Sequence, residues 1–183
     1  MILPIFAYGQ PVLKKRAETI EKDYPDLDQL IENMWETMYN ASGVGLAAPQ
    51  VGLSKRLFVV DTAQMYEEDS EKEGIKKAFI NPVILLRSDE EGKYEEGCLS
   101  IPEVQGDVER PFRIRIKYQT PDFKDVQEDY EGLEARVIQH EYDHLEGILF
   151  VEKLGPLKKK RVAKKLEKIR RGQITAKYKL KFA

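Results

Sequence analysis

The stretch QHEYDHLEG, residues 139–147, contains both histidines of the chain, His140 and His144. Apolar residues recur around it at helical spacing, which predicts a helix over residues 133–145. Residues four apart lie on one face of a helix, so both imidazoles can reach one metal ion. Glu141 lies one position further round and can contact a water on such an ion without being a ligand. The alternative is a structural pair of histidines on a charged helix face.

A catalytic metal usually has three protein ligands and one open position, so the two histidines require a third ligand. The candidates are the only cysteine, Cys98, and three glutamates, Glu146, Glu152 and Glu167. A thiolate is a suitable ligand for zinc or Fe(II), and Gly97 allows the backbone to approach a metal closely. The alternative for a lone cysteine is a small buried apolar side chain. The residue types alone leave these candidates open.

The rest of the chain predicts two more helices and a set of strands. Apolar spacing predicts a helix over residues 26–41, and a basic helix is predicted over residues 156–171. Segment 43–52 is rich in glycine and proline and is predicted as a loop, and segment 61–77 as an acidic, solvated excursion. Strands are predicted at residues 57–60, 78–80, 83–86, 93–96, 112–118 and 126–130. This order favours an α+β fold over a doubly wound parallel sheet.

Length and composition indicate a single soluble domain. The chain has 183 residues and a mass of 21.2 kDa, with 42% hydrophobic and 34% charged residues. No run approaches the roughly 18 apolar residues of a membrane helix, and the first residues lack the pattern of a secretion signal. One cysteine excludes an internal disulfide, so we expect a cytoplasmic protein.

Charge is distributed unevenly along the chain. Residues 153–183 hold 13 of the 30 basic residues and one of the 32 acidic residues, a local net charge of +12. The net charge of −2 for the whole chain leaves −14 on residues 1–152. A basic tail on an acidic body indicates a polyanionic partner, most simply RNA. The alternative is a solvated helix that folds back on the acidic body.

Three segments in register resemble the peptide deformylases. Residues 43–50, GVGLAAPQ, resemble the GxGxAAxQ loop of that family. Residues 96–100, EGCLS, match a second family segment, and residues 139–147 match its QHExDHLxG helix. The likeness extends from about residue 3 to residue 155. One such motif would be weak evidence, but three in the same order and spacing are highly specific.

The resemblance implies a fold, an activity and a cofactor. The fold is α+β, with small antiparallel sheets packed around a central helix that carries the HExxH motif. The activity is metal-dependent removal of the formyl group from the N-terminal formylmethionine of newly synthesised polypeptides, with release of formate. The cofactor is one divalent metal, Fe²⁺ in the native enzyme, with Zn²⁺, Ni²⁺ or Co²⁺ able to occupy the site.

The resemblance also assigns roles to individual residues. The metal ligands it implies are Cys98, His140 and His144. Glu141 is implied as the catalytic carboxylate, and Gln50 with the backbone N–H of Leu99 as the groups that bind the oxyanion. The implied substrate-binding residues are Val44, Gly45, Gly97, Tyr94, Leu133 and Val137. Two positions depart from the family: Gln105 replaces an arginine of many relatives, and Arg136 replaces an apolar residue, so that its stem is expected to pack beside the methionine pocket.

The organisation and partners follow from the same comparison. We expect residues 1–155 to form the deformylase domain and residues 156–183 to be a basic extension of it. Because the substrate emerges from a ribosome, the helix over residues 156–171 is expected to dock there, with no DNA or membrane partner.

Two other classes of protein compete with the deformylase hypothesis. One is a zinc metallopeptidase with Glu167 as its third ligand, and the other is an RNA-binding module, which leaves the three motifs unexplained.

Overall fold

The computed structural model describes residues 1–183 and contains three α-helices. Helix α1 spans Leu27–Asn40, α2 spans Gly132–Leu145 and α3 spans Pro156–Arg170. Each lies within one residue of its predicted bounds at either end. Four short 3₁₀ turns lie at Pro11–Lys14, Ala48–Val51, Ala63–Met65 and Phe150–Lys153.

Nine strands form three sheets. In chain order they are β1 (Ile5–Phe6), β2 (Gly45–Ala47), β3 (Leu57–Asp61), β4 (Lys76–Arg87), β5 (Glu91–Cys98), β6 (Ile101–Pro111), β7 (Arg113–Gln119), β8 (Asp125–Glu131) and β9 (Leu180–Lys181). The largest sheet is antiparallel, in the order β2-β3-β4-β7-β8, and β5 and β6 form an antiparallel hairpin. The predicted α+β class is confirmed, although the third sheet, β1 with β9, is parallel.

Three parts of the strand prediction were wrong. The predicted loop over residues 43–52 contains β2, which begins at Gly45, and a 3₁₀ turn with Pro49 among its first residues, a position that tolerates proline. Strand β4 continues through the predicted break at Asn81, which takes a positive φ of 50° and is followed by a shift in register. Strand β6 was not predicted: one of its inward positions is the charged Arg110, which hides the alternation of buried and exposed residues.

Helix α2 is the central element of the fold. Its apolar face carries Ala135, Ile138 and Leu145 and packs on the five-stranded sheet. On that sheet Phe79 stacks on Phe58 with a centroid distance of 4.8 Å, and further apolar side chains complete the layer. The other side of α2 faces the β5–β6 hairpin. The core therefore fixes which face of α2 is turned toward the hairpin.

The carboxyl-terminal region is packed onto the body. In α3, Val162 and Ile169 are buried against β6 and neighbouring apolar residues. Leu157, in the first turn of the same helix, is 64% exposed. After α3 the chain returns to the body, where β9 pairs with β1 through Ile5↔Leu180 and Phe6↔Lys181.

Segment 61–77 is less solvated at its start than predicted. Asp61 and Thr62 are buried, and Thr62 and Tyr66 both donate a side-chain hydrogen bond to Glu134 on α2, at 3.2 and 2.9 Å. The residues that follow Tyr66 are largely exposed, as predicted. None of the helices combines the length and the apolar character that crossing a membrane requires.

Candidate active site

Cys98 and the two histidines lie together where the end of β5 meets α2. One ligand atom from each of Cys98, His140 and His144 falls within 4.8 Å of the others. The Cys98 Sγ lies 3.4 Å from the His144 Nε2. The β5–β6 pairing shifts register between Gly97 and Cys98, which turns the thiol toward α2.

The other three candidates for a third ligand lie elsewhere and are engaged by basic side chains. Glu146 accepts from Arg56 at 2.8 Å, and Glu152 accepts from Lys14. Glu167 is partly exposed on α3, where it pairs with Arg170 and Arg171. Of the four candidates, only Cys98 is brought to the histidines.

Glu141 is a buried carboxylate at the same site. It is 4% exposed, and its Oε2 has no hydrogen-bond partner in the protein. Burial raises the pKa of Glu141 to about 7. Gly45 makes room for it, since a Cβ at Gly45 would lie 2.5 Å from the Glu141 Oε1. A carboxyl group with a pKa near neutrality and an unpaired oxygen can accept and donate a proton at pH 7.

Gln50 presents its amide N–H to the site. Its Oε1 accepts a hydrogen bond from the Ala47 N–H at 2.9 Å, which fixes the orientation of the amide. Its Nε2 then donates to the Ser100 Oγ at 3.2 Å and lies 3.5 Å from the Cys98 Sγ. Leu99 lies in the turn between β5 and β6 and lines the same cavity.

A buried ionic network, not predicted from the sequence, lies behind His140. Glu96 accepts from the Arg110 Nε at 2.6 Å and from the Arg136 Nη1 at 2.7 Å, and it bonds to the His140 Nδ1 at 2.9 Å. Burial alone would raise the pKa of Glu96, but hydrogen bonds from Arg110 and His140 hold it well below its usual range. Because the Nδ1 of His140 is engaged, its Nε2 is the nitrogen left for a metal.

The same network extends to Asp143 and to the pocket wall. The Arg110 Nη1 donates to the Asp143 Oδ2 at 2.8 Å, so Arg110 links β5 to α2. Arg136 also donates to the Gly92 carbonyl at 2.6 Å, and its guanidinium lies 5.5 Å from the centroid of the Tyr94 ring. The charged end of Arg136 is thus part of the network, beyond the packing role expected of its stem. Glu96 lies in the EGCLS segment and Asp143 in the QHEYDHLEG segment. Their positions within these motifs were the signal that could have identified them.

A cavity of about 850 Å³ opens beside the site. Its lining includes Gln50, Cys98, Leu99, His140 and Glu141. The residues implied in substrate binding also line it: Val44, Gly45, Gly97, Tyr94, Leu133 and Val137. His144 is not in the lining and lies behind the other two ligands, 1% exposed. Met65 and the segment 175–178 also line the cavity, although no sequence pattern placed them there.

The residues present fit a divalent transition metal. One thiolate and two imidazoles form a donor set suited to zinc or Fe(II), and a metal with three protein ligands would keep a further position for water or substrate. The Nδ1 of His144 is buried without a partner, and the Nδ1 of His140 is held by Glu96. In each histidine the other ring nitrogen, Nε2, is therefore the one available to a metal shared with Cys98.

Comparison with known proteins identifies the family of the chain. The sequence matches the family model of polypeptide deformylase over residues 2–160. The peptide deformylase of Christiangramia forsetii is 53% identical over the whole of this chain and 96% of its own. A crystal structure of peptide deformylase from Plasmodium falciparum superposes with a TM-score of 0.82 at 37% identity, over 92% of this chain and 95% of that one. The enzyme from Thermotoga maritima superposes with a TM-score of 0.76 at 45% identity, over 85% of this chain and 99% of its own. The chain therefore belongs to the polypeptide deformylase family.

Proposed function

We propose that this chain is a metal-dependent hydrolase that removes the formyl group from the N-terminal formylmethionine of newly synthesised polypeptides and releases formate. One observation carries the proposal: Cys98, His140 and His144 converge beside the cavity, which Cys98 and His140 line, and the buried carboxyl of Glu141 lies with them. Membership of the deformylase family supports the same reaction.

The metal would be held by the Cys98 thiolate and one ring nitrogen from each of His140 and His144. When bound, a divalent ion supplies a Lewis acid and lowers the pKa of a water molecule toward 7. We propose Fe²⁺ as the native ion, with Zn²⁺, Ni²⁺ or Co²⁺ able to take its place in purified protein. Glu96 would keep His140 in the orientation and tautomer that coordination needs.

Glu141 would move the proton during hydrolysis. Its carboxylate takes a proton from the attacking water and passes it to the nitrogen of the leaving amine, which leaves formate and a free N-terminus. A pKa of about 7 allows one group to act first as base and then as acid. The Gln50 amide and the Leu99 N–H would donate hydrogen bonds to the oxyanion, since both residues line the cavity beside Cys98.

The cavity suits an uncharged N-terminus with an apolar side chain. Leu133, Val137 and Tyr94 would contact the methionine side chain, and the backbone at Val44, Gly45 and Gly97 would pair with the extended peptide. A formylated N-terminus carries no charge. It therefore needs no unpaired carboxylate to hold an ammonium group, and the buried Glu96 is already engaged by Arg110, Arg136 and His140.

Family membership and geometry both disfavour the metallopeptidase alternative. That alternative needs Glu167 as a ligand, and Glu167 is partly exposed on α3 and paired with Arg170 and Arg171. Cys98→Ala separates the two hypotheses directly. We expect the variant to lose its metal, whereas a site built on Glu167 would keep it.

We propose that α3 is the surface that docks on the ribosome, within a basic extension, residues 156–183, of the domain formed by residues 1–155. Burial of Val162 and Ile169 anchors the helix to the body, and every lysine of α3 except Lys165 is exposed. Such a surface would bind a polyanion in the cytoplasm with a strong dependence on salt.

Replacing Lys158, Lys159 and Lys160 by glutamate should abolish co-sedimentation with ribosomes. The matched control reverses three exposed lysines outside α3, Lys22, Lys72 and Lys93. Equal binding by both triple variants would contradict the docking proposal.

The decisive test of the activity is formate release from formyl-Met-Ala-Ser by protein purified without oxygen. The metal and sulfur content of the same sample should be counted. About one metal per chain with rapid formate release is the expected result. Metal without formate release would contradict the proposed reaction, and absence of metal would show that the two histidines are structural.

A further inference from the structure

The segment after α3 reaches the cavity of the candidate active site. Residues 175–178 line it, although they lie beyond the residues 2–160 that the deformylase family model matches. Strand β9 holds this segment in place by pairing with β1, and the Ile5 N–H donates to the Lys179 carbonyl at 2.9 Å. The Gln10 side chain adds a hydrogen bond to the Lys181 carbonyl at 3.4 Å. The tail is therefore fixed to the body on the carboxyl side of the segment that meets the cavity.

Tyr178 connects the tail to Leu99. Its hydroxyl donates a hydrogen bond to the Leu99 carbonyl at 2.8 Å, and its ring packs on the core beneath α1. Burial raises the pKa of Tyr178 to about 12, so the hydroxyl keeps its proton near neutral pH. The Leu99 side chain is confined as well, because a Cβ at Gly43 would lie 2.7 Å from its Cδ1. Leu99 is thus held from two sides, and one of them is the tail.

Lys177 brings a positive charge to the edge of the cavity. It is exposed and takes part in no ion pair. Two exposed carboxylates line the same cavity. Glu103 pairs with Lys165 of α3, and Glu95 has no cationic partner. Because formylation removes the charge of the peptide N-terminus, the charged groups left on a substrate near the site are its side chains.

We propose that residues 175–178 are a wall of the substrate-binding site, in which Tyr178 is a positioning residue for Leu99 and Lys177 selects for acidic side chains downstream of the formylmethionine. The proposal rests on the deformylase activity proposed above. It adds a segment outside the matched family region to the groups that bind the nascent peptide. It also assigns Tyr178 an effect on turnover, because Leu99 is the proposed oxyanion donor.

The positioning role is tested with Tyr178→Phe in the full-length holoenzyme. Tyr24→Phe is the matched control, since its ring packs on the same core cluster but its hydroxyl makes no hydrogen bond. Losing one hydrogen bond to a partly buried carbonyl should lower kcat about 2- to 10-fold. We expect KM for formyl-Met-Ala-Ser, and the metal content, to stay unchanged. A kcat equal to that of the wild type, or an equal loss in Tyr24→Phe, would overturn the positioning role.

The selectivity is tested with Lys177→Glu on two peptides, formyl-Met-Ala-Glu and formyl-Met-Ala-Lys. The ratio of their kcat/KM values should fall about 2- to 10-fold at low salt and recover as salt is added, as expected for an exposed charge. Lys179→Glu is the control, because it makes the same charge change on the tail outside the cavity lining. A ratio that does not change, or changes equally in both variants, would overturn the selectivity. If the wild-type protein releases no formate, the proposed activity fails; if it does, only the role of the tail is in question.

Discussion

Replacing Gly45 by alanine tests whether the position of the Glu141 carboxyl controls turnover. The φ of Gly45 lies outside the left-handed region, so alanine adds no backbone strain there. The new Cβ would lie 2.5 Å from the Glu141 Oε1 and 2.8 Å from its Cδ, whereas ordinary contacts begin at 3.4 Å. The carboxyl must therefore withdraw by about 1 Å, and a misplacement of that size can cost roughly 100-fold in rate. Because the metal ligands are not touched, metal content should be preserved.

The assay compares kcat and KM for formate release, metal per chain and Tm for the wild type and Gly45→Ala. We expect kcat to fall about 100-fold with one metal per chain retained. Gly155→Ala is the matched control, because no atom lies within 4 Å of the added Cβ. Full activity in Gly45→Ala would refute the reasoning. A rise in KM with kcat unchanged would show that Gly45 serves substrate binding and does not control Glu141.

Three further predictions follow from contacts around the site and the sheet. Glu96→Gln removes the negative charge that faces Arg110 and Arg136 and weakens the hydrogen bond that supports His140. Metal affinity measured by chelator competition should therefore fall about 10- to 100-fold. Unchanged affinity would contradict this. Gln50→Ala should lower kcat about 100- to 1000-fold with metal retained, whereas a small change in kcat would exclude it as an oxyanion donor. Burial opposes ionisation of Glu128, but hydrogen bonds from Lys77 and two tyrosines lower its pKa below the ordinary 4.5. Its carboxylate therefore stabilises the fold above pH 4.5, and this contribution is lost as the pH falls through the folded pKa. In urea unfolding at pH 7, the free energy of unfolding of Glu128→Gln should be lower than that of the wild type, and this difference should shrink as the pH is lowered. A difference that does not depend on pH would contradict the assignment.

The elements with a strong period were predictable from the sequence, and those whose pattern is broken by charge or glycine were not. Helix α1 has an uninterrupted apolar stripe and was predicted within one residue. Strand β6 has Arg110 and Gly106 at positions that face inward. The alternation of buried and exposed residues along β6 therefore does not appear as an alternation of apolar and polar residues in the sequence. Strand β2 includes Gly45, which is unusual in a strand but leaves space for Glu141. Both failures lie at residues that serve the site.

For the site, local motifs indicated the residues that could hold a metal but not the groups that support them. The spacing of His140 and His144 was enough to predict that they share one helix face. The residues alone left Cys98 among four candidates, because the contact between β5 and α2 spans more than 40 residues of sequence. The ion pair of Arg110 with Glu96 and the bond from Tyr178 to Leu99 depend on tertiary packing that no local pattern encodes.

The pairing of β1 with β9 has a consequence for the synthesis of the protein itself. Ile5 leaves the ribosome early, but its partner Leu180 lies 175 residues (180 − 5) further along the chain. Contacts between such distant parts of a chain form late in folding. The body can form while translation continues, yet the strand that secures residues 175–178 beside the cavity cannot pair until residues 180–181 have emerged. A copy whose residues 180–181 are still inside the ribosome would therefore lack one wall of its cleft, and we expect full activity only once these residues have emerged and paired.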